Sequence, residues 1–254
     1  MDLTGKVALV TGAGAPSGTG RAIALLIARE GAGVVAADLD LHGARDTVKA
    51  IEGEGGTAAP VRVDVRVGDD IERMVSFAER TFGGLDVLVN NAGATDEPHF
   101  PDATPAHWGA TLDLNLRGPM RATQVALEAM RRRGGGAIVN VSSVAGLGFR
   151  PHPSPEYAAA KAGLVRFTAT LAPLKERMNV RVNCVIPHWI ETEQVRREVA
   201  AMPPEQRREV PKLLAPEQVA EAVLRLVRDD DLAGRVMVLW CEEEPRLFDP
   251  DRRE

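Results

Sequence analysis

Short apolar runs alternate along the chain with segments whose apolar residues recur at helical spacing. The runs at 7–11, 33–38, 57–64, 85–90, 137–142, 180–186 and 235–239 are rich in Val and Ile and apolar nearly throughout. That is the pattern of strands covered on both faces. Helical spacing covers 20–30, 41–52, 69–82, 105–133, 156–178 and 216–228. In the first of these Ile23, Leu26 and Ile27 share one face, and Gly31 and Gly33 end the helix and admit the next strand. Such alternation predicts an α/β fold, a doubly wound parallel sheet with helices on both faces, whose ligands bind beyond the carboxyl ends of the strands. The unusual residues fall at those ends.

The pattern holds no internal repeat and no linker, and residues 1–254 suit one domain. The segment 191–214 departs from it: it is charged, is broken by Pro203-Pro204, and follows the sixth strand. Its position makes it a candidate lid over the site, against the plainer reading of a solvated helical excursion.

Composition narrows the function classes. The formal charge is −5 and no Lys/Arg block stands alone, which argues against nucleic acid or a membrane surface as partner. Arg131-Arg132-Arg133 reads as a helix C-terminus closed by Gly134. The two cysteines, Cys184 and Cys241, lack metal-ligand spacing, so no metal site is expected, and a reduced cytoplasmic chain fits better than a disulfide-bonded one. The first residues, Met1-Asp2-Leu3-Thr4-Gly5-Lys6, do not read as a signal peptide, and no apolar stretch is long enough to span a bilayer.

Candidate chemistry begins with Thr11-Gly12-Ala13-Gly14-Ala15-Pro16-Ser17-Gly18-Thr19-Gly20, between a predicted strand and a predicted helix. Glycines there let the backbone turn tightly against a pyrophosphate, and the helix N-terminus adds N–H groups and positive potential. Asp38 ends the second strand, where a carboxylate can accept from both ribose hydroxyls and repels a 2′-phosphate. Asp40 is placed to cap the next helix, which leaves Asp38 free. Tyr157 and Lys161 stand i,i+4 on a predicted helix and share a face. A free phenol has a pKa near ~10, and a nearby ammonium favours its ionised form. Tyr157 is also the chain's one tyrosine. Ser143 ends a buried-type strand, where its hydroxyl can polarise a substrate oxygen or merely cap the strand. Asn115, a poor helix former, interrupts a predicted helix.

In this order the motifs resemble the short-chain dehydrogenase/reductase family, from Lys6 to about Leu239: the glycine turn, Asp38, Asp64-Val65, Asn90-Asn91-Ala92-Gly93, Asn115, Ser142-Ser143-Val144-Ala145-Gly146, Tyr157-Ala-Ala-Ala-Lys161, and Arg181-Val-Asn183-Cys-Val-Ile-Pro187 with Ile190 and Thr192. The resemblance implies a Rossmann-like domain with a seven-stranded parallel sheet and an NAD-dependent exchange of hydride between an alcohol and a carbonyl. It implies Tyr157 as acid/base and Lys161 as holder of the nicotinamide ribose, lowering the tyrosine pKa. Ser143, rather than Ser142, polarises the carbonyl, and Asn115 supports a water relay to Lys161. The implied cofactor contacts are Gly12, Gly14, Ser17, Gly18, Thr19, Gly20, Asp38, Leu39, Asp64, Val65, Asn91, Ala92, Gly93, Tyr157, Lys161, Pro187, Ile190 and Thr192, with NAD preferred to NADP. The implied partners are a small alcohol or carbonyl substrate and a second copy of the chain, as homodimer or homotetramer.

Four features depart from the family pattern. The glycine turn is two residues longer than usual, so either Gly12 or Gly14 can pair with Gly18 and Gly20. The Ser143–Tyr157 spacing is one residue longer, with Pro151, Pro153 and Pro155 between. His188 replaces a glycine after Pro187, and the tail Val238-Leu239-Trp240-Cys241-Glu242 lacks the usual Asp-Gly-Gly. Ser143, Tyr157, His188 and Trp189 form the expected substrate set, and Phe149 and His152 are further candidates for the pocket. His188 is expected either to take a glycine-like backbone or to shift the loop, with substrate contact weighed against packing on Trp189. The rival readings are a C=C or imine reductase of the same fold, and an idle nucleotide-binding regulatory protein. The intact Ser143, Tyr157 and Lys161 favour oxygen chemistry over both.

Overall fold

The expected alternation is realised. The computed structural model describes residues 1–95, 97–148, 151–208 and 210–248. The first half runs β1 (Val7–Thr11), α1 (Thr19–Arg29), β2 (Gly33–Asp38), α2 (Leu41–Gly53), β3 (Thr57–Arg62), α3 (Gly68–Phe82), β4 (Val87–Asn90), α4 (Pro105–Leu112) and α5 (Gly118–Arg132). It continues with β5 (Gly136–Val141), α6 (Pro155–Thr170), α7 (Leu174–Met178), β6 (Val180–Pro187), α8 (Glu193–Ala201), α9 (Pro204–Arg207), α10 (Pro216–Arg228), β7 (Val236–Leu239) and β8 (Arg246–Leu247).

One sheet of order β3-β2-β1-β4-β5-β6-β7-β8 holds all the strands. β1 to β7 pair in parallel, and the order reverses between β1 and β4, the crevice where ligands bind in such sheets. β1, β4, β5 and β6 are buried throughout. One apolar layer unites α1, α2 and α10 with the sheet, and the other α3, α5 and the residues around α7.

The expectation of seven strands is corrected to eight. The tail turns back at Glu242, in left-handed conformation, and lays Arg246–Leu247 antiparallel on β7. A two-residue edge strand in a charged tail leaves no alternating pattern to detect. Two predicted helices also divide. The segment 105–133 becomes α4 and α5, separated by a π-helical stretch, Asp113–Arg117, in which Gly118 N–H bonds back to the Asp113 carbonyl. The cause is Pro119: it has no N–H to give the Asn115 carbonyl, so the regular ladder fails there. The segment 156–178 breaks between Thr170 and Leu174, just before and at Pro173.

The segment 191–214 forms α8 and α9, with Glu209 outside the described residues. It leaves and returns at one point: Ile190 bridges Leu214, Leu214 N–H donates to the Trp189 carbonyl at 2.8 Å, and Glu191 N–H to the Leu214 carbonyl at 2.8 Å. No helix among the described residues is long and apolar enough to cross a membrane.

Candidate active site

The β1–α1 turn is built on close backbone approach. Gly12 is left-handed, with φ 68°, and a Cβ at Gly20 would collide with the Gly12 carbonyl. Gly18 is the N-cap of α1, so Gly18, Thr19 and Gly20 form the start of that helix. Gly14 faces elsewhere: its N–H donates to Asp38 Oδ2 at 2.7 Å, and its carbonyl lies against Gly43 of α2. The geometry thus groups Gly12 with Gly18 and Gly20, while the extra length carries Gly14 to Asp38.

Asp40 caps α2 through His42 N–H, but Asp38 is not left free. Its Oδ2 accepts from Gly14 and its Oδ1 from Asp40 N–H at 2.9 Å. Each oxygen keeps a second lone pair, so the carboxylate is oriented rather than consumed. Leu39 beside it is exposed. Asp64 is clamped by Arg66, Nη2 to Oδ2 at 2.7 Å, which holds its carboxyl below the usual range. Val65 is buried, its carbonyl against Gly118. Asn91 fastens the turn from the β4 side, its Nδ2 donating to the Thr11 and Gly12 carbonyls at 2.9 and 3.2 Å. Thr11 Oγ1 accepts from the N–H groups of Asn91 and Ala92 at 3.0 and 3.1 Å. Pro187 is buried at the end of β6, Ile190 sits in the bridge to Leu214, and Thr192 caps α8 by accepting from Val195 N–H.

At the carboxyl end of β5 the two serines separate. Ser142 is buried and its Oγ donates to the Lys161 carbonyl at 2.9 Å. Ser143 Oγ accepts from Ala145 N–H at 3.2 Å, which leaves its own proton to give, and its hydroxyl favours the ionised form of the nearby Tyr157 phenol. Lys161 is buried, donates to the Val141 carbonyl at 3.1 Å, and lies 5.4 Å from the Tyr157 ring centroid. Burial brings its ammonium down to about 8. The expected lowering of the Tyr157 pKa is not what this geometry produces. Burial pushes the phenol up, the Ser143 contact alone pulls the other way, and Lys161 sits over the ring. Asn115 is fully buried, its Nδ2 donating to the Ala94 and Thr111 carbonyls at 2.8 and 3.0 Å, and its Oδ1 has no partner.

Of the two alternatives for His188, the ring packs on Trp189. His188 takes an ordinary backbone, absent from the left-handed residues, and is half-buried between Trp189 and Trp240. Its Nδ1 lies 3.0 Å from Cys241 Sγ, toward the end of β7. Trp189 is exposed, and Phe149 lies outside the described residues. The histidine against the tyrosine is His152, its ring stacked at 5.8 Å and 26°. No local pattern marks the neighbouring His99–Glu156 pair, because His99 comes from the β4–α4 loop and Glu156 from the first turn of α6. Both cysteines are free thiols, and no group of three potential metal ligands occurs among the described residues.

Comparison with known proteins agrees with this architecture. Residues 6–203 match the family model described as short chain dehydrogenase. A 3-oxoacyl-acyl-carrier-protein reductase of Thermotoga maritima is 38% identical, covering 93% of this chain and 97% of the relative. A short-chain dehydrogenase/reductase structure from Burkholderia xenovorans superposes with a TM-score of 0.86 at 35% identity, over 94% of this chain and 96% of that one. A 7α-hydroxysteroid dehydrogenase complexed with NADH and 7-oxo glycochenodeoxycholic acid superposes with a TM-score of 0.86 at 29% identity, over 93% of both chains. Fold, motif order and matched length agree, and the chain belongs to the short-chain dehydrogenase/reductase family.

Proposed function

We propose that residues 1–254 form a single-domain, NAD-dependent oxidoreductase that interconverts an alcohol and a carbonyl, with Tyr157 as acid/base. The observation that carries this reading is the convergence of Ser143, Tyr157 and Lys161 at the carboxyl ends of β5 and α6's first turns. The residues present fit a nicotinamide cofactor. A Cβ on Gly93 would stand 2.8 Å from Asn115 Oδ1 and 3.0 Å from Lys161 Nζ, so a glycine keeps open the space where an orphaned acceptor and an ammonium face one another. The start of α1 would hold the pyrophosphate, Asp38 the adenosine ribose, and Lys161 the second ribose. A nicotinamide held there would supply the hydride acceptor or donor.

The chain's own groups handle the oxygen. Ser143 gives its hydroxyl proton to the substrate oxygen and fixes its position beside Tyr157. In the oxidative direction Tyr157 takes the alcohol proton; in reduction it returns one. Lys161, which carries its positive charge below about pH 8, lies over the Tyr157 ring beside the space that Gly93 keeps open. Asn115 holds its stretch of π-helix against Ala94, and Pro119 leaves its carbonyl without the usual helical donor, which supports a water relay to Lys161. Asp38 favours NAD because its charge repels a 2′-phosphate; the NADH in the steroid dehydrogenase neighbour agrees with it. The segment 191–214, closed at its base, serves as the lid. The assay follows nicotinamide absorbance with a panel of secondary alcohols and ketones. Turnover that Tyr157→Phe abolishes is the expected result. Equal turnover in that variant, or NAD binding with no turnover on any member, would overturn the reading.

A further inference from the structure

The Ser154 N–H, whose direction the backbone fixes, points at His152 Nδ1 at 3.1 Å. A nitrogen that accepts this bond carries a lone pair, so the neutral ring bears its proton on Nε2. The Ser154 carbonyl also lies 3.1 Å from Nδ1, but that nitrogen has no proton left to give it. Ser154 is itself pinned. It is buried, and its Oγ donates to Glu156 Oε1 at 2.9 Å. His99 from the β4–α4 loop reaches the same oxygen at 3.1 Å. The Glu156 side chain is 8% exposed, and its other oxygen has no partner. The loop therefore holds the imidazole by one edge and presents the other. That ring is stacked on Tyr157 at 5.8 Å, and among the described residues nothing engages its Nε2.

We infer that His152 is a specificity-determining residue, whose Nε2–H donates to a second oxygen on the substrate beyond the carbon that exchanges hydride. This rests on Tyr157 being the acid/base at that carbon. The preferred substrate is then a ketone or alcohol with an additional oxygen acceptor, rather than a purely hydrocarbon one. A site built to donate a hydrogen bond discriminates against analogues that lack the acceptor, because its own polar group is left unpaired. Phenylalanine at this position keeps the stack and removes the donor; glutamine keeps an N–H near the place of Nε2.

The test uses two matched pairs: methyl acetoacetate against butyl methyl ketone, and methoxyacetone against methyl propyl ketone. The kcat/KM ratio within each pair is measured with NADH for wild type, His152→Phe and His152→Gln. Intrinsic reactivity cancels because each pair is compared with itself across variants. In at least one pair the ratio should fall about tenfold in His152→Phe, the loss of one hydrogen bond, and recover in part in His152→Gln. Equal losses on both members of each pair, or unchanged ratios, overturn the inference. Binding of the same pairs to the protein–NADH complex is measured by calorimetry. Selective binding that His152→Phe removes, without turnover in wild type, would sustain His152 and reject Tyr157 as acid/base; unselective binding by wild type would reject His152.

Discussion

Gly14 and Asp38 are joined directly, N–H to carboxylate at 2.7 Å, beyond the carboxyl ends of the neighbouring strands β1 and β2. The longer glycine turn thus orients the acid proposed to read the adenosine ribose. A Cβ at Gly14 would stand 2.8 Å from Asp38 Cγ, so no other residue fits without displacing that carboxylate.

The first prediction follows. Asp38→Ala should weaken NAD by about ten- to a hundredfold, the worth of charge-assisted hydrogen bonds, and leave NADP unchanged or tighter. Gly14→Ala should weaken NAD in the same direction, because it moves the carboxylate instead of removing it. Titrations of both cofactors against the three proteins check this. Tighter binding of NADP than NAD by wild type would sink the assignment.

Tyr157→Phe keeps the ring under His152 and removes the hydroxyl. Turnover should fall by about a hundred- to ten-thousandfold, the range of general acid–base contributions, with NAD affinity retained. Steady-state rates and a cofactor titration on the same preparation separate the two effects. A similar loss of both would make the residue structural.

The buried Lys161 gives a pH signature. Its folded pKa is depressed to about 8 from 10.5. The unfolded chain therefore binds more protons across that interval. The stability contribution is present in full above 10.5 and is lost as pH falls through about 8. Replacing the lysine by methionine removes the penalty of burying the charge. Lys161→Met should accordingly gain stability relative to wild type at pH 7, and the difference should shrink toward pH 10.5. Denaturant midpoints of both proteins along one pH series read it. A difference that grew with pH would mean that the ammonium is stabilised in the folded state.

The strands and the closeness of Tyr157 to Lys161 are legible because each leaves a local mark: an unbroken Val/Ile run, or two residues one helical turn apart. What was not legible depends on contacts between distant segments. The π-helical stretch follows from Pro119 acting on Asn115 four residues earlier, inside a segment whose apolar spacing still reads as one helix. The eighth strand exists because a charged tail finds the free edge of β7. His188 stands beside Pro187 in the sequence, and only the fold shows its ring on Trp189 and turned to Cys241. His152 is a pocket candidate by sequence, but its stacking on Tyr157 and its aim from Ser154 are set by the fold. Direction of a side chain, unlike its position along the chain, is a tertiary property.

The last prediction concerns self-association. Met120, Leu127, Phe167 and Leu171 line one open groove between α5 and α6, with Arg117 and Arg121 at its margin. Met120 is 40% exposed, although the same helix turns Ala122, Ala126 and Met130 into the core. An amphipathic helix that has already buried one face gains nothing from a second apolar stripe in water, so the stripe suits a second protein surface. Two long neighbouring helices are compatible with a two-fold axis, in which the same patch meets itself and every substitution counts twice. The wild-type chain should be a dimer or a tetramer at micromolar concentration. Met120→Asp should bring two carboxylates together across the axis and shift the protein toward monomer, while its circular dichroism stays that of the folded chain. Light scattering measures the mass of both. A wild-type monomer would reject pairing altogether. An unchanged oligomer in Met120→Asp would place the interface on another face.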